Sequence, residues 1–453
     1  MKKENPGLIC SAVAGLALFL AANVSPPVAA QTVSGISTVE GPVPATAQSP
    51  IYNRVDLPAA GAVEKEFFIS GRVLGGNYKT LLHIRLPKAP VRQSGIVMVE
   101  PWHPGNLWPL YAKVSEYEAR EGHVAVIVVG NPLLLDNVIK VKNPARYGDL
   151  SLPGKGTRTV AETPAGDTTE FEILQQAAEL IRRGKLPGVN ARKVILGGMS
   201  QTAGVVRAYI AFEHEQPNVK SSYDGYFPEQ AAKGSYHKPL PDLDVPVMEM
   251  QGERELLVLH MRGLVPAPYE RPDGPLYRLY EVPGMPHVAT RGRPEGGGAS
   301  CSGHTRSDYP TFAVYSAVLN KMVAWVDRGI AAPHVSRIAT DADGREIMRD
   351  PFGNARGGYR TSYLDVPTAT YHATWGSYYM QANGEPSDAE AARCDKMGWV
   401  EPLSQDQLHK LYSSHDDYVA KVNKSLDGLV AQGLILPEDA RDLREEARLA
   451  RIP

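Results

Sequence analysis

The spacing of hydrophobic and polar residues changes several times along the chain, and each change marks an element. Residues 67–73 and 80–86 are rich in aromatic and branched side chains and predict early strands. Residues 95–100 and 122–130 are apolar nearly throughout, the pattern of strands covered on both faces. Between them, 107–120 predicts a helix. Another helix is predicted from Thr168, a candidate N-cap, to about Gly184, with Glu170 and Glu172 near the positive end of its dipole. Residues 192–197 form one more short buried-strand run, and 203–212 return to helical spacing. Two further buried strands are predicted at 245–251 and 276–282, followed by a long amphipathic helix at 309–328. Strands alternating with helices over this length predict an α/β fold, a mostly parallel sheet with helices on both faces.

The stretches without such periodicity set the domain plan. Residues 31–50 are rich in Ser, Thr, Pro and Ala and read as a flexible leader; 51–335 read as the α/β core. Within the core, 131–167 keep no periodicity while Pro and Gly recur, as in a surface excursion or lid. Residues 336–453 read as a C-terminal extension packed on the core. Ser404 with Gln407 resembles a capping box, Gly433 a helix stop and Pro437 a first helical position. Leu408, Leu411, Val419, Val422, Leu426 and Leu429 make an apolar stripe suited to packing on the main domain.

Composition adds the compartment. Lys2 and Lys3, an apolar run from Leu8 to Ala22 and the small residues Val28-Ala29-Ala30 form a signal peptide over 1–30. Export to the periplasm or medium is expected, with no stable membrane anchor after cleavage. Two cysteines then remain, Cys301 and Cys394, and an oxidising compartment allows them to pair. A formal net charge of −2 and the lack of basic runs argue against nucleic acid as a partner. Neither H-E-x-x-H, a phosphate-binding G-x-x-x-x-G-K-[ST] nor paired C-x-x-C occurs, so no metal or cofactor is expected.

The candidate chemistry centres on Gly198-Met199-Ser200-Gln201-Thr202, between a predicted strand and a predicted helix. That context exposes a serine hydroxyl at a strand end, beside free N–H groups of a helix N-terminus. The usual second Gly of G-x-S-x-G is replaced by Thr202. A serine nucleophile needs a general base and an acid to hold it. Glu253 and Glu255 follow the strand at 245–251, and His287 follows the strand at 276–282, in the order serine, acid, histidine. Glu255, three residues past Gly252, is favoured as the acid, with Glu253 as the alternative. The N–H groups of Gln201 and Trp102 are the candidate oxyanion donors, because Pro101 and Pro104 have none to give. His103 is a candidate for facing the pocket.

The runs G-G-M-S-Q-T, V-P-V-M-E-M-Q-G-E-R-E and P-G-M-P-H resemble a bacterial branch of the α/β-hydrolase superfamily, the alpha/beta hydrolase domain proteins. G-N-A-R-G-G-Y-R-T-S-Y-L-D-V-P-T-A-T-Y at 353–371 and L-V-A-Q-G-L-I-L-P-E-D-A-R-D-L at 429–443 extend that resemblance over nearly the whole mature chain. Many relatives carry Asp where this chain has Glu255. The resemblance implies an α/β-hydrolase fold and a serine esterase acting on a small-molecule ester, with Arg360 and Asp365 as candidates for shaping the pocket. A peptidase or amidase of the same fold, and a ligand-binding protein that kept the fold without the chemistry, are the alternatives. Oligomeric state is not legible.

Overall fold

The computed structural model describes residues 35–44, 61–104, 109–157, 166–216, 220–231, 239–261, 271–288, 300–301, 304–344, 346–374 and 395–452. The expected signal peptide and Cys394 lie outside these residues.

Nine strands form the main sheet: β1 (Ile36–Val43), β2 (Ala62–Val73), β3 (Gly76–Pro87), β4 (Ile96–Pro101), β5 (Val124–Val128), β6 (Lys193–Met199), β7 (Gly225–Glu229), β8 (Val247–Gly252) and β9 (Tyr277–Val282). Their spatial order is β1-β2-β3-β5-β4-β6-β7-β8-β9. The first three strands and the β3–β5 junction are antiparallel, and every pair from β5 to β9 is parallel. Parallel strands point their carboxyl ends the same way, so the loops after β4, β6, β7, β8 and β9 meet at one edge. A functional site in an open α/β sheet forms at that edge.

The alternation along each strand sorts side chains onto two helical layers. Val97, Val99, Val194 and Leu196 pack on one face with Ile173 and Leu174 of α2 (Thr169–Arg182) and Val205, Val206 and Tyr209 of α3 (Gln201–His214). Ile96, Met98, Ile195 and Met199 face the other way, against Leu110 and Val114 of α1 (Pro109–Glu121) and Val318 and Met322 of α5 (Thr311–Arg328). Burying each such aliphatic side chain contributes about 1.5–3 kcal/mol, which explains why these strands read as unbroken apolar runs. Between β8 and β9 lies α4 (Glu253–Met261).

Three expectations need correction. The leader is not wholly irregular: 36–43 form β1, an exposed edge strand laid antiparallel along β2 with Glu40 opposite Phe68. Residues 132–147 are a series of short helical turns, and Leu134, Leu135, Ile139, Tyr147 and Leu150 are buried against Trp102 and Tyr111. That part of the expected lid is packed core; 158–165 lie outside the described residues. A third strand, β7, separates the elbow from β8, where the sequence predicts none. It is only five residues long and carries Pro228, which lacks the N–H a ladder needs.

The C-terminal extension forms one compact unit with the core. Tyr359, Leu364, Ala369 and Tyr371 are buried in the same cluster as α5 and β9. The Tyr359 N–H donates to Glu281 O on β9 at 2.6 Å, covering that sheet edge. Helices α6 (Gln405–Leu411), α7 (His415–Ala431) and α8 (Pro437–Leu449) close on a second cluster that includes Ala313 of α5. The Ser404–Gln407 capping box, the left-handed Gly433 and the N-terminal Pro437 stand as predicted.

Candidate active site

Ser200 ends β6 in a conformation that L-residues rarely adopt, φ 61° and ψ −119°. Gln230 is the other non-glycine with positive φ among the described residues. The turn is tight because α3 starts almost on top of the strand. A Cβ on Gly198 would come within 2.6 Å of Thr202 O, so glycine is required there by close approach rather than by dihedral freedom. Thr202, at the position of the usual second glycine, locks the bend: its Oγ1 accepts from Met199 N–H and donates to Met199 O, both at 2.9 Å. The first intrahelical bond runs from Gly204 N–H to Ser200 O. Gln201 is therefore the first residue of α3, and its N–H has no intrahelical acceptor.

Three side chains from three strand ends meet at this turn. Ser200 Oγ lies 2.9 Å from His287 Nε2, and His287 Nδ1 lies 2.7 Å from Glu255 Oε1. Ser200 is half-buried, while His287 and Glu255 are buried. Glu255 Oε2 accepts from Gly252 N–H at 3.2 Å and from Gln230 Nε2 at 3.1 Å. The tautomer consistent with an ionised Glu255 puts the proton on Nδ1 and leaves Nε2 to accept from the serine hydroxyl.

Electrostatics favour that state. Burial pushes the Glu255 carboxyl up, but His287, Arg254 and Gln230 more than offset it and hold it below its ordinary value. Burial holds the His287 imidazole below its ordinary value, with Arg254 and Lys113 adding to the effect against the pull of Glu255. A neutral imidazole beside an ionised carboxylate is a base ready to take a proton near neutral pH. His103 lies close enough to His287 to feel its charge, and burial, His287 and Lys396 push it down to about 4.

Other predicted residues fall elsewhere. Glu253 turns away from His287: its carboxylate accepts from Gly284 N–H at 2.7 Å and from Arg349 at 2.8 Å, tying the turn after β9 to the C-terminal segment. Geometry thus separates it from Glu255. Trp102 does not supply an oxyanion donor. Its N–H extends the parallel ladder to Val128 O at 2.8 Å, and its ring is buried. Arg360 and Asp365 bind each other at 2.7 Å, and Arg360 also donates to Ala355 O and Leu364 O. Among the described residues neither makes a hydrogen bond or ion pair with Ser200, Glu255 or His287; the bonds the pair does make fasten its own segment.

The sequence reading missed the supports. Arg254 bridges the acid to the C-terminal extension: its Nη1 donates to Glu255 Oε1 at 3.5 Å, its Nη2 pairs with the Asp395 carboxylate and its Nε donates to Asp395 O at 3.2 Å. With Val288 N–H on Lys396 O at 2.7 Å, this anchors the loop of His287 to the C-terminal extension. Lys113 of α1 donates to His287 O at 2.8 Å and to Gln230 Oε1 at 3.3 Å. No spacing rule joins residues 113, 230, 254 and 395, because the sheet alone brings them together.

The model for the alpha/beta hydrolase domain family matches residues 39–445. The chain belongs to that family. Among solved structures it is similar to brefeldin A esterase, a bacterial homologue of human hormone sensitive lipase, at 13% identity and a TM-score of 0.26 over 41% of this chain and 44% of that one. The chain thus corresponds to less than half of that esterase's length. A second solved esterase gives 13% identity and a TM-score of 0.32, with 50% and 74% of the two chains covered. A lidless serine hydrolase from Xanthomonas campestris gives 15% and 0.27, with 47% and 82% covered. These likenesses carry no argument about substrate. No curated protein matches the chain. The hydrolase fold rests on the family match and on the sheet described above.

Proposed function

We propose that this family member is an exported serine esterase, periplasmic or secreted, that cleaves a small-molecule ester through an acyl-enzyme. One observation carries the reading: the hydrogen-bonded chain from Ser200 Oγ through His287 to a buried Glu255, at 2.9 Å and 2.7 Å. Ser200 Oγ attacks the ester carbonyl carbon as its proton passes to His287 Nε2. The resulting imidazolium is stabilised by Glu255. The carbonyl oxygen becomes an oxyanion next to Gln201 N–H at the helix N-terminus. Loss of one such donor typically costs 10²–10³ in rate. As the intermediate collapses, the C–O bond to the alcohol breaks and His287 returns the proton to the leaving oxygen. Water, deprotonated by the same imidazole, then releases the acid and restores Ser200.

The test is covalent labelling. A fluorophosphonate probe should add one mass increment to the purified mature protein, mapped to Ser200, and Ser200→Ala should abolish it while the melting curve stays unchanged. A folded wild-type protein that takes no label, or a label mapped to another residue, defeats the proposal.

A further inference from the structure

Two residues among those described hold positive φ without being glycine, Ser200 and Gln230, and they end adjacent parallel strands, β6 and β7. Strain of this kind persists where surrounding structure needs it. At Ser200 the need is an exposed hydroxyl. At Gln230, φ 49°, glycine would satisfy the backbone better, so the side chain must account for the residue.

That side chain is fully buried and uses every hydrogen-bonding position its amide has. Nε2 donates to Glu255 Oε2 at 3.1 Å and to Pro286 O at 3.0 Å. Oε1 accepts from Tyr315 OH at 2.8 Å and from Lys113 Nζ at 3.3 Å. Two partners are obligate acceptors and the lysine is an obligate donor, so the amide cannot be reversed. Its main chain is fixed as well: Gln230 N–H donates to Met250 O at 2.7 Å, and the preceding carbonyl, Glu229 O, accepts Ser200 N–H at 2.9 Å.

The consequence is geometric. One dipeptide, Glu229-Gln230, holds the backbone of the serine, the carboxylate of the acid and the loop carrying the histidine, the last of these at Pro286 O. Lys113 extends the grip to the next carbonyl, His287 O. We infer that Gln230 is a positioning residue for the Ser200–His287–Glu255 relay: its amide sets the rotation of the Glu255 carboxylate and the height of the His287 loop relative to the serine. This inference rests on the serine-nucleophile reading above. A rigid relay matters because a group misplaced by about 1 Å can lose a hundredfold in rate.

The decisive variant is Gln230→Gly, which relieves the strained backbone while deleting the amide. Fluorophosphonate inactivation kinetics separate the limiting rate, kinact, from the binding constant, KI. Gln230→Gly should retain a cooperative melt and an unchanged KI while kinact falls 10- to 100-fold. A purely structural role predicts the reverse, since glycine suits φ 49° and would leave kinact as in the wild type. Gln230→Glu keeps the volume but removes both donors facing Glu255 and Pro286, and it decides the question should the glycine variant fail to fold. Its kinact should also drop at least tenfold. Wild-type kinact in either folded variant overturns the inference and leaves the serine mechanism standing. A wild-type protein that does not label at Ser200 removes that mechanism, and this inference with it, before any substitution is made.

Discussion

The turn around Ser200 and the segment around Arg360 both combine glycines with polar residues, yet their hydrogen bonds are disposed in opposite ways. At 353–365 the charged and amide side chains bond locally: Arg360 holds Asp365 and two carbonyls, and Asn354 bridges Ala369 O and Tyr371 N–H, while Tyr359 N–H ties the segment to β9. At 198–202 the strained serine and the leading N–H of α3 are not used up within the turn, and the serine is held from elsewhere, by Glu229 O at the end of β7 and by His287 after β9. A segment whose charged side chains pair with one another and whose backbone is tied to the sheet edge is a fastening. A turn that leaves groups for an incoming molecule, and is held from behind, has the makings of a reaction centre.

That contrast can be broken most sharply at the two glutamates of α4, which sit two residues apart in opposite environments. Glu255→Gln should cut fluorophosphonate kinact by about 10²–10⁴, because the amide misorients the imidazole and cannot stabilise its charged form. Glu253→Gln should lower the melting temperature by weakening its ties to Arg349 and Gly284 N–H, with kinact per folded molecule kept within about twofold of the wild type. Equal rate losses in both variants would erase the distinction.

A smaller effect concerns pH. Only neutral His287 can act as the base, and burial disfavours its charged form. The groups that act on its charge are Glu255 and Arg254 from α4 and Lys113 from α1. The rate should therefore rise with pH along an acid limb whose midpoint lies below the ordinary imidazole value of 6.5, then level off. An acid limb centred above 6.5 would show that Glu255 outweighs burial.

The smallest effect belongs to the fastening. Arg360→Ala removes a partly exposed ion pair and two carbonyl contacts, and should cost about 1 kcal/mol of stability without changing kinact. A loss of rate at unchanged stability would move Arg360 back toward the site.

The sequence by itself determined the order of most elements, because a strand covered on both faces must be apolar along its length and a surface helix must repeat near every 3.6 residues. It also brought out Ser200, Glu255 and His287, since each follows a strand whose end falls at one sheet edge. It favoured Glu255 over Glu253 by its offset from Gly252, but both follow β8, and it is the direction each side chain takes from α4 that separates them. Trp102 was misjudged because the ladder hydrogen bond to Val128 O depends on which strand lies beside β4, and that neighbour comes later in the chain. Gln230, Lys113 and Asp395 were silent for the same reason. Their roles come from contacts across 25 to 174 positions of sequence, which local periodicity does not encode and which the assembled sheet and its docked C-terminal segment alone create.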